Sequence, residues 1–130
     1  MLKKLMALAG IAALCVSLAA VANAHPQVKH ISSKVTLHFK TVTPATEYTE
    51  STEQFYGRVK SHKSCRKRRE ITIDGTDLSA TTNSSGDYRI TAHNTAPGTY
   101  TATAAVRNRK TNNGTKIVCE AATSDPVTVP

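Results

Sequence analysis

Apolar residues in this chain recur at every second position from about residue 35 to the C-terminus. Val35, Leu37 and Phe39 alternate with Thr36, His38 and Lys40, and Phe55, Gly57 and Val59 alternate with Tyr56, Arg58 and Lys60. Ile71 and Ile73 repeat the pattern, as do Leu78, Ala80 and Thr82, then Tyr88, Ile90 and Ala92. Tyr100, Ala102, Ala104 and Val106 make the longest run, followed by Ile117, Cys119 and Ala121 and by Val127 and Val129. A period of two sends alternate side chains to opposite faces of an extended chain, so each run reads as a half-buried strand. No segment after residue 24 shows the 3.6-residue period of an amphipathic helix. Turn formers separate the runs: Asp74-Gly75, Asn83 to Gly86, Asn94 to Gly98, and Asn112-Asn113-Gly114. The pattern predicts an all-β fold, an antiparallel β-sandwich of seven or eight short strands with one wet face on each sheet.

The first 24 residues stand apart. Lys3 and Lys4 precede a stretch from Leu5 to Ala20 that is apolar except at Gly10 and Ser17, and Ala22-Asn23-Ala24 has the small-x-small form of a cleavage site. Residues 1–24 are therefore expected to be a signal peptide, with retention as a membrane anchor the alternative. The mature chain is expected to be secreted, periplasmic or extracellular, and no second apolar stretch predicts a membrane span after cleavage. Residues 25–53 read as an N-terminal strand and linker, with 25–33 a loose arm and 43–53 a loop. Residues 54–130 read as the sandwich core.

With Cys15 in the signal, Cys65 and Cys119 remain. An exported chain with one possible pairing predicts a disulfide; free thiols or a metal pair are the alternatives, but no further Cys or His stands at ligand spacing. The chain has no Trp and only 2 Phe, so its core is light. Closing a loop of about 55 residues would contribute about 4 kcal/mol on the chain-entropy account.

Two turns carry a resemblance. Thr82-Asn83-Ser84-Ser85-Gly86-Asp87-Tyr88 and Pro97-Gly98-Thr99-Tyr100 each launch a strand, and both follow Phe55-Tyr56-Gly57-Arg58-Val59, a basic cysteine-containing loop and Ile71-Thr72-Ile73. In this order they resemble the carboxypeptidase-regulatory-like or transthyretin-like (prealbumin-like) domains, over about residues 54–129. Asn83 stands where that pattern usually has Asp, and Cys65-Arg66-Lys67-Arg68-Arg69 stands where many relatives have a Gly-Pro-type turn. The resemblance implies a transthyretin-like, Ig-like sandwich serving as a structural, adhesive or accessory module. It also implies one disulfide tying an early loop to a late strand, as in some exported bacterial members.

No nucleophile turn or carboxylate pair suggests catalysis, so the chain is expected to be a non-catalytic module and to carry no cofactor. The formal net charge of +8 includes Lys3 and Lys4 and favours acidic partners. Arg58, Lys60, Lys63, Arg66, Lys67, Arg68 and Arg69, with His62 among them, are candidates for binding an acidic polysaccharide or other cell-surface polymer. The competing reading is a solvated loop whose charges guard a strand edge. Arg107, Arg109, Lys110 and Lys116 would form a second basic rim if the disulfide brings the two regions together. No aromatics are interleaved for base stacking, so sequence-specific nucleic-acid recognition is not expected. A further alternative is copper binding by His25 at a cleaved N-terminus, with His38 as the leading partner and His30, His62 and His93 also available. Asp74, Asp77 and Asp87 read as turn residues before calcium ligands. Asn83-Ser84-Ser85 and Asn113-Gly114-Thr115 match the glycosylation pattern, which matters only in a eukaryotic source.

Overall fold

A computed structural model describes residues 27–130; the expected signal peptide and His25 lie outside the described residues. The elements in chain order are β1 (Val28–Ile31), β2 (Lys34–Val35), β3 (His38–Thr43), β4 (Thr52–Lys60), α1 (Lys63–Arg66), β5 (Glu70–Ile73) and β6 (Ser79–Thr81). They continue with β7 (Asp87–His93), β8 (Gly98–Tyr100), β9 (Ala102–Ala104), β10 (Arg107–Lys110), β11 (Lys116–Cys119), β12 (Ala122–Thr123) and β13 (Val127–Val129).

The all-β expectation holds, with more strand segments than the alternation suggests, because three long strands are interrupted. β2 and β3 lie along the same side of β4 in one register, with Val35 opposite Val59 and Phe39 opposite Phe55. β8, β9 and β10 run against β13, β12 and β11 as one long broken hairpin. One sheet of the sandwich is β2/β3–β4–β7, and the other places β5 between β6 and β9 and adds β12 beyond β9. A third sheet, β1–β11–β10, continues the hairpin past the sandwich.

The core lies where the first two sheets face each other. Val35, Leu37, Phe55, Val59, Tyr88, Ile90 and Ala92 meet Ile71, Ile73, Ala102, Ala104 and Val129. Phe55 sits at its centre, its ring 5.1 Å from Phe39 and 5.4 Å from Tyr100. Burying each of the larger side chains contributes about 1.5–3 kcal/mol.

Gly57 has a steric reason to be glycine. It is paired with Tyr88 across the β4–β7 ladder, and the Tyr88 hydroxyl donates to the Thr36 carbonyl at 2.5 Å. A Cβ on Gly57 would collide with that carbonyl and lie 2.8 Å from the Tyr88 oxygen. With the Thr36 carbonyl engaged by Tyr88, the Thr36 hydroxyl substitutes for it in the ladder and accepts from the Arg58 N–H at 2.9 Å. This exchange accounts for the interruption between β2 and β3.

Three expectations need correction. Residues 28–31 are not loose: β1 pairs in parallel with β11 from Val28↔Lys116 to Ile31↔Cys119. The strand and the loop expected within residues 25–53 are present, as β2 and β3 and as the stretch between Thr43 and Thr52, but the core does not begin at residue 54, because β2 and β3 complete the first sheet and Val35 and Leu37 join the core. Val106 and Ala121 do not continue the buried face of their runs and are exposed. The hairpin leaves the sandwich at these positions.

Candidate functional site

The basic loop begins where β4 ends. His62 caps the single turn α1, its Nδ1 accepting from the Ser64 N–H at 3.2 Å. Cys65, inside that turn, is fully buried and joined to Cys119 of β11, with the two Cα atoms 5.4 Å apart. The expected disulfide is present and anchors the loop on the third sheet. Arg68 then takes a left-handed backbone conformation, φ 53°. Buried Thr82 clamps the turn: its hydroxyl donates to the Arg66 carbonyl at 2.7 Å and accepts from the Arg69 N–H at 2.8 Å.

Arg69 faces inward. Among the described residues it is the largest fully buried side chain, and this removes it from the expected polyanion-binding set. Its Nε donates to the Ala105 carbonyl at 3.1 Å, and Nη2 donates to Ala105 and Glu120 carbonyls at 2.9 and 2.7 Å. Nη1 donates to the Cys65 carbonyl and the Ser33 hydroxyl, both at 2.9 Å. All five N–H groups of the guanidinium are thereby used. Ala105 and Glu120 lie on the two strands of a single break in the long hairpin's ladder, between β9–β12 and β10–β11, so the fork serves carbonyls that strand pairing leaves free. Burial, with Arg107 nearby, lowers the Arg69 pKa from its ordinary value.

The other expected residues divide. Arg58 is exposed but committed to Asp87, Nε to Oδ1 at 2.6 Å and Nη2 to Oδ2 at 3.4 Å. Donating to Asp87 raises the Arg58 pKa, and accepting the same hydrogen bonds lowers that of Asp87. Lys60, opposite Lys34 at the end of the ladder, stands apart from the groove described next. Lys63, Arg66, Lys67 and Arg68 are exposed. Lys63, Arg66 and Lys67 line a groove of about 400 Å³ together with Ser64, Ser84 and Arg109.

Two of the four residues of the second basic rim, Arg107 and Arg109, meet the first, whereas Lys110 and Lys116 lie opposite each other on the hairpin, exposed and outside the groove. Arg109 Nη1 donates to the Ser64 carbonyl and Arg107 Nη1 to the Lys67 carbonyl, each at 2.6 Å. These bonds hold two guanidinium groups against the α1 loop and leave their remaining donors for other partners. Burial first, then the neighbouring Arg109 and Arg68 charges, lowers the Arg107 pKa. Ser84 belongs to the Asn83–Gly86 turn and reaches the groove only through folding; the alternation gave no signal for it.

Remaining candidates resolve into structure. Asn83 Oδ1 accepts from the Ser85 and Asp87 N–H groups at 2.9 and 3.0 Å, so it closes its own turn. His38 stacks on Tyr56 with ring centres 5.2 Å apart. Among the described residues no group of three or more His, Cys, Asp or Glu side chains is placed to hold a metal ion; His25 lies outside them. Asp74 Oδ2 accepts from Thr101 and Thr103 hydroxyls at 2.6 and 2.9 Å. A depression of about 490 Å³ beside Tyr56, Thr81 and Arg89 includes Asp87, whose carboxylate is already held by Arg58. At the far end of β4, burial pushes the Glu53 carboxyl up. Hydrogen bonds from Ser51 and Thr95, with His93 nearby, outweigh that effect and hold its pKa below the ordinary value. Among the described residues no helix is long and apolar enough to cross a membrane.

No family model, curated protein or solved structure matches the chain.

Proposed function

We propose that this chain is an exported, non-catalytic β-sandwich module of the transthyretin-like kind, and that its basic face binds an acidic polymer outside the cell. The observation that carries the reading is the convergence of Lys63, Arg66, Lys67 and Arg109 on one groove whose lining contains no carboxylate. Four cations gathered without neutralising partners repel one another, and an anionic ligand relieves that repulsion. The groove is also firmly built. The disulfide, the Arg69 fork and the two arginine-to-carbonyl bonds fix the loop before any ligand arrives, which lowers the ordering cost of binding.

Charge segregation supports the same reading. Glu47 and Glu50 lie in the loop before β4, while the cationic loop follows its other end, about 27 Å away at the rise of an extended strand. The disulfide suits an oxidising compartment, in keeping with export. The test is retention of the mature, oxidised protein on an immobilised sulfated polysaccharide. Replacing Lys63, Arg66 and Lys67 together by Ala removes three exposed side chains and should move elution to clearly lower salt. Unchanged elution of a folded triple variant would remove the groove from the function.

A further inference from the structure

We propose that the ligand is an extended acidic polysaccharide lying in one track, which runs from the α1 groove along β10 and β11 to the tip of their hairpin. This inference rests on the anionic-ligand reading above and names its ligand class. Across the third sheet, Arg109 is opposite Ile117, and Ile117 is opposite Lys29. Directly opposite residues share a face of the sheet, and Arg109 shows which face this is, because it reaches the Ser64 carbonyl of α1. A second groove of about 540 Å³ opens beyond, lined by Lys29, Thr111, Asn112, Asn113, Thr115 and Ile117. Arg109 lines the first groove and its partner Ile117 lines the second, so the two meet at that pair.

The chemistry changes along the track. The α1 half presents four cations and two serines. The hairpin half presents one cation, Lys29, with two amides and two threonines. Guanidinium and ammonium groups hold carboxylate or sulfate, whereas amides and hydroxyls pair with neutral hydroxyl groups. A polymer bearing both acidic groups and ring hydroxyls matches both halves; a plain polyphosphate matches only the first. Neither half has an aromatic lining residue, so nothing offers the stacking on which single-stranded nucleic acid depends. From Arg109, which lines the first groove, to Asn112 in the second, the hairpin half of the track alone covers about 10 Å at the rise of a strand.

The experiment measures affinity of the mature oxidised protein for size-graded, sulfated oligosaccharides from heparin, and for polyphosphate and single-stranded DNA of matched charge. Two variants are compared, Lys63→Ala/Arg66→Ala/Lys67→Ala and Lys29→Ala/Asn112→Ala. For wild type, affinity should rise with oligosaccharide length until the track is filled. The first variant should lose about tenfold or more at every length, from three charge-assisted contacts. The second should bind the shortest oligosaccharide normally and lose about five- to tenfold on the longest, from one charge-assisted contact and one ordinary one. Polyphosphate and DNA should bind more weakly than the long oligosaccharide and respond less to the second variant, through the charge of Lys29 alone. If the first variant loses binding while the second matches wild type at all lengths, the anionic groove stands and the track falls. If polyphosphate or DNA binds as tightly as the oligosaccharide, the sugar assignment falls. If wild type binds none of the probes, the anionic-ligand reading falls with it.

Discussion

Replacing Arg69 by Met separates a buried organiser from a surface ligand. The side chains are similar in length, but Met offers no donors, so the Cys65, Ala105 and Glu120 carbonyls lose their guanidinium partner. A buried acceptor left unpaired costs about 1–3 kcal/mol. Release of the charge from a dry site returns part of this, so the low end of the range applies, about 3 kcal/mol for the three carbonyls. For a domain of this size, each kcal/mol moves the midpoint by about 4–8 °C, giving an expected fall of about 12–24 °C. Far-UV circular dichroism of the oxidised protein at pH 7, followed through thermal unfolding, measures it. Lys at position 69 should fall between Arg and Met, since an ammonium has three donors where the guanidinium has five. A midpoint for Arg69→Met within about 2 °C of wild type, well under one kcal/mol, would refute the assignment of Arg69 as the tie between hairpin and loop. Loss of polysaccharide retention at an unchanged midpoint would return Arg69 to the binding set.

Gly57→Ala should destabilise by about 3 kcal/mol, the upper end for overpacking, because the clash involves the Thr36 backbone, which cannot swing aside; urea unfolding measures it, and a loss below about 1 kcal/mol contradicts the tight crossing of Tyr88 over β4. Burial pushes the Tyr88 pKa up from 10.0 to about 12; the unfolded chain therefore releases this proton first, so the stabilisation is complete below pH 10 and is lost between pH 10 and 12, at up to about 1.4 kcal/mol per unit. Tyr88→Phe should flatten that alkaline decline, and an equally steep decline in the variant would assign it elsewhere. Reduction of Cys65–Cys119 should cost about 4 kcal/mol and weaken polysaccharide retention more than any single lysine substitution, since it frees α1 from β11; equal retention before and after reduction would show that the groove does not depend on the tie. Arg68→Gly relieves a left-handed backbone, φ 53°, and should stabilise by about 0.5–1 kcal/mol while removing one exposed charge; a destabilised variant would mean that the Arg68 side chain, not its backbone, matters to the turn.

The legible part of this fold is the part governed by local rules. Period-two alternation placed Phe55, Val59, Ile71, Ile73, Ile90 and Ala102 in the core because a strand can bury only one face. Gly86, at φ 89°, and Asn83 announced their turn because the geometry demands those residue types. The disulfide followed from having a single pair to make. What alternation could not show is set by contacts between distant segments. β1 is a strand only because β11 offers it an edge. Val106 is exposed because the hairpin departs from the sandwich there, and nothing local to the run from Tyr100 distinguishes Ala104 from Val106.

The four consecutive basic residues 66–69 show the same limit at the site. As a sequence they are one charge run, and the ordinary expectation for such a run is uniform exposure to water. Arg69 departs from it because one break in a hairpin more than thirty residues downstream leaves carbonyls on both its strands, at Ala105 and Glu120, that a guanidinium fork can reach. The left-handed turn at Arg68 and the Thr82 clamp then direct Arg66 and Lys67 outward while Arg69 points in. One basic residue of the run thus holds the loop in place from beneath, and the others present charge above it. Exposure and charge of the groove depend on a cation that the ligand never meets, so binding and stability are coupled at Arg69 and separable at Lys63, Arg66 and Lys67.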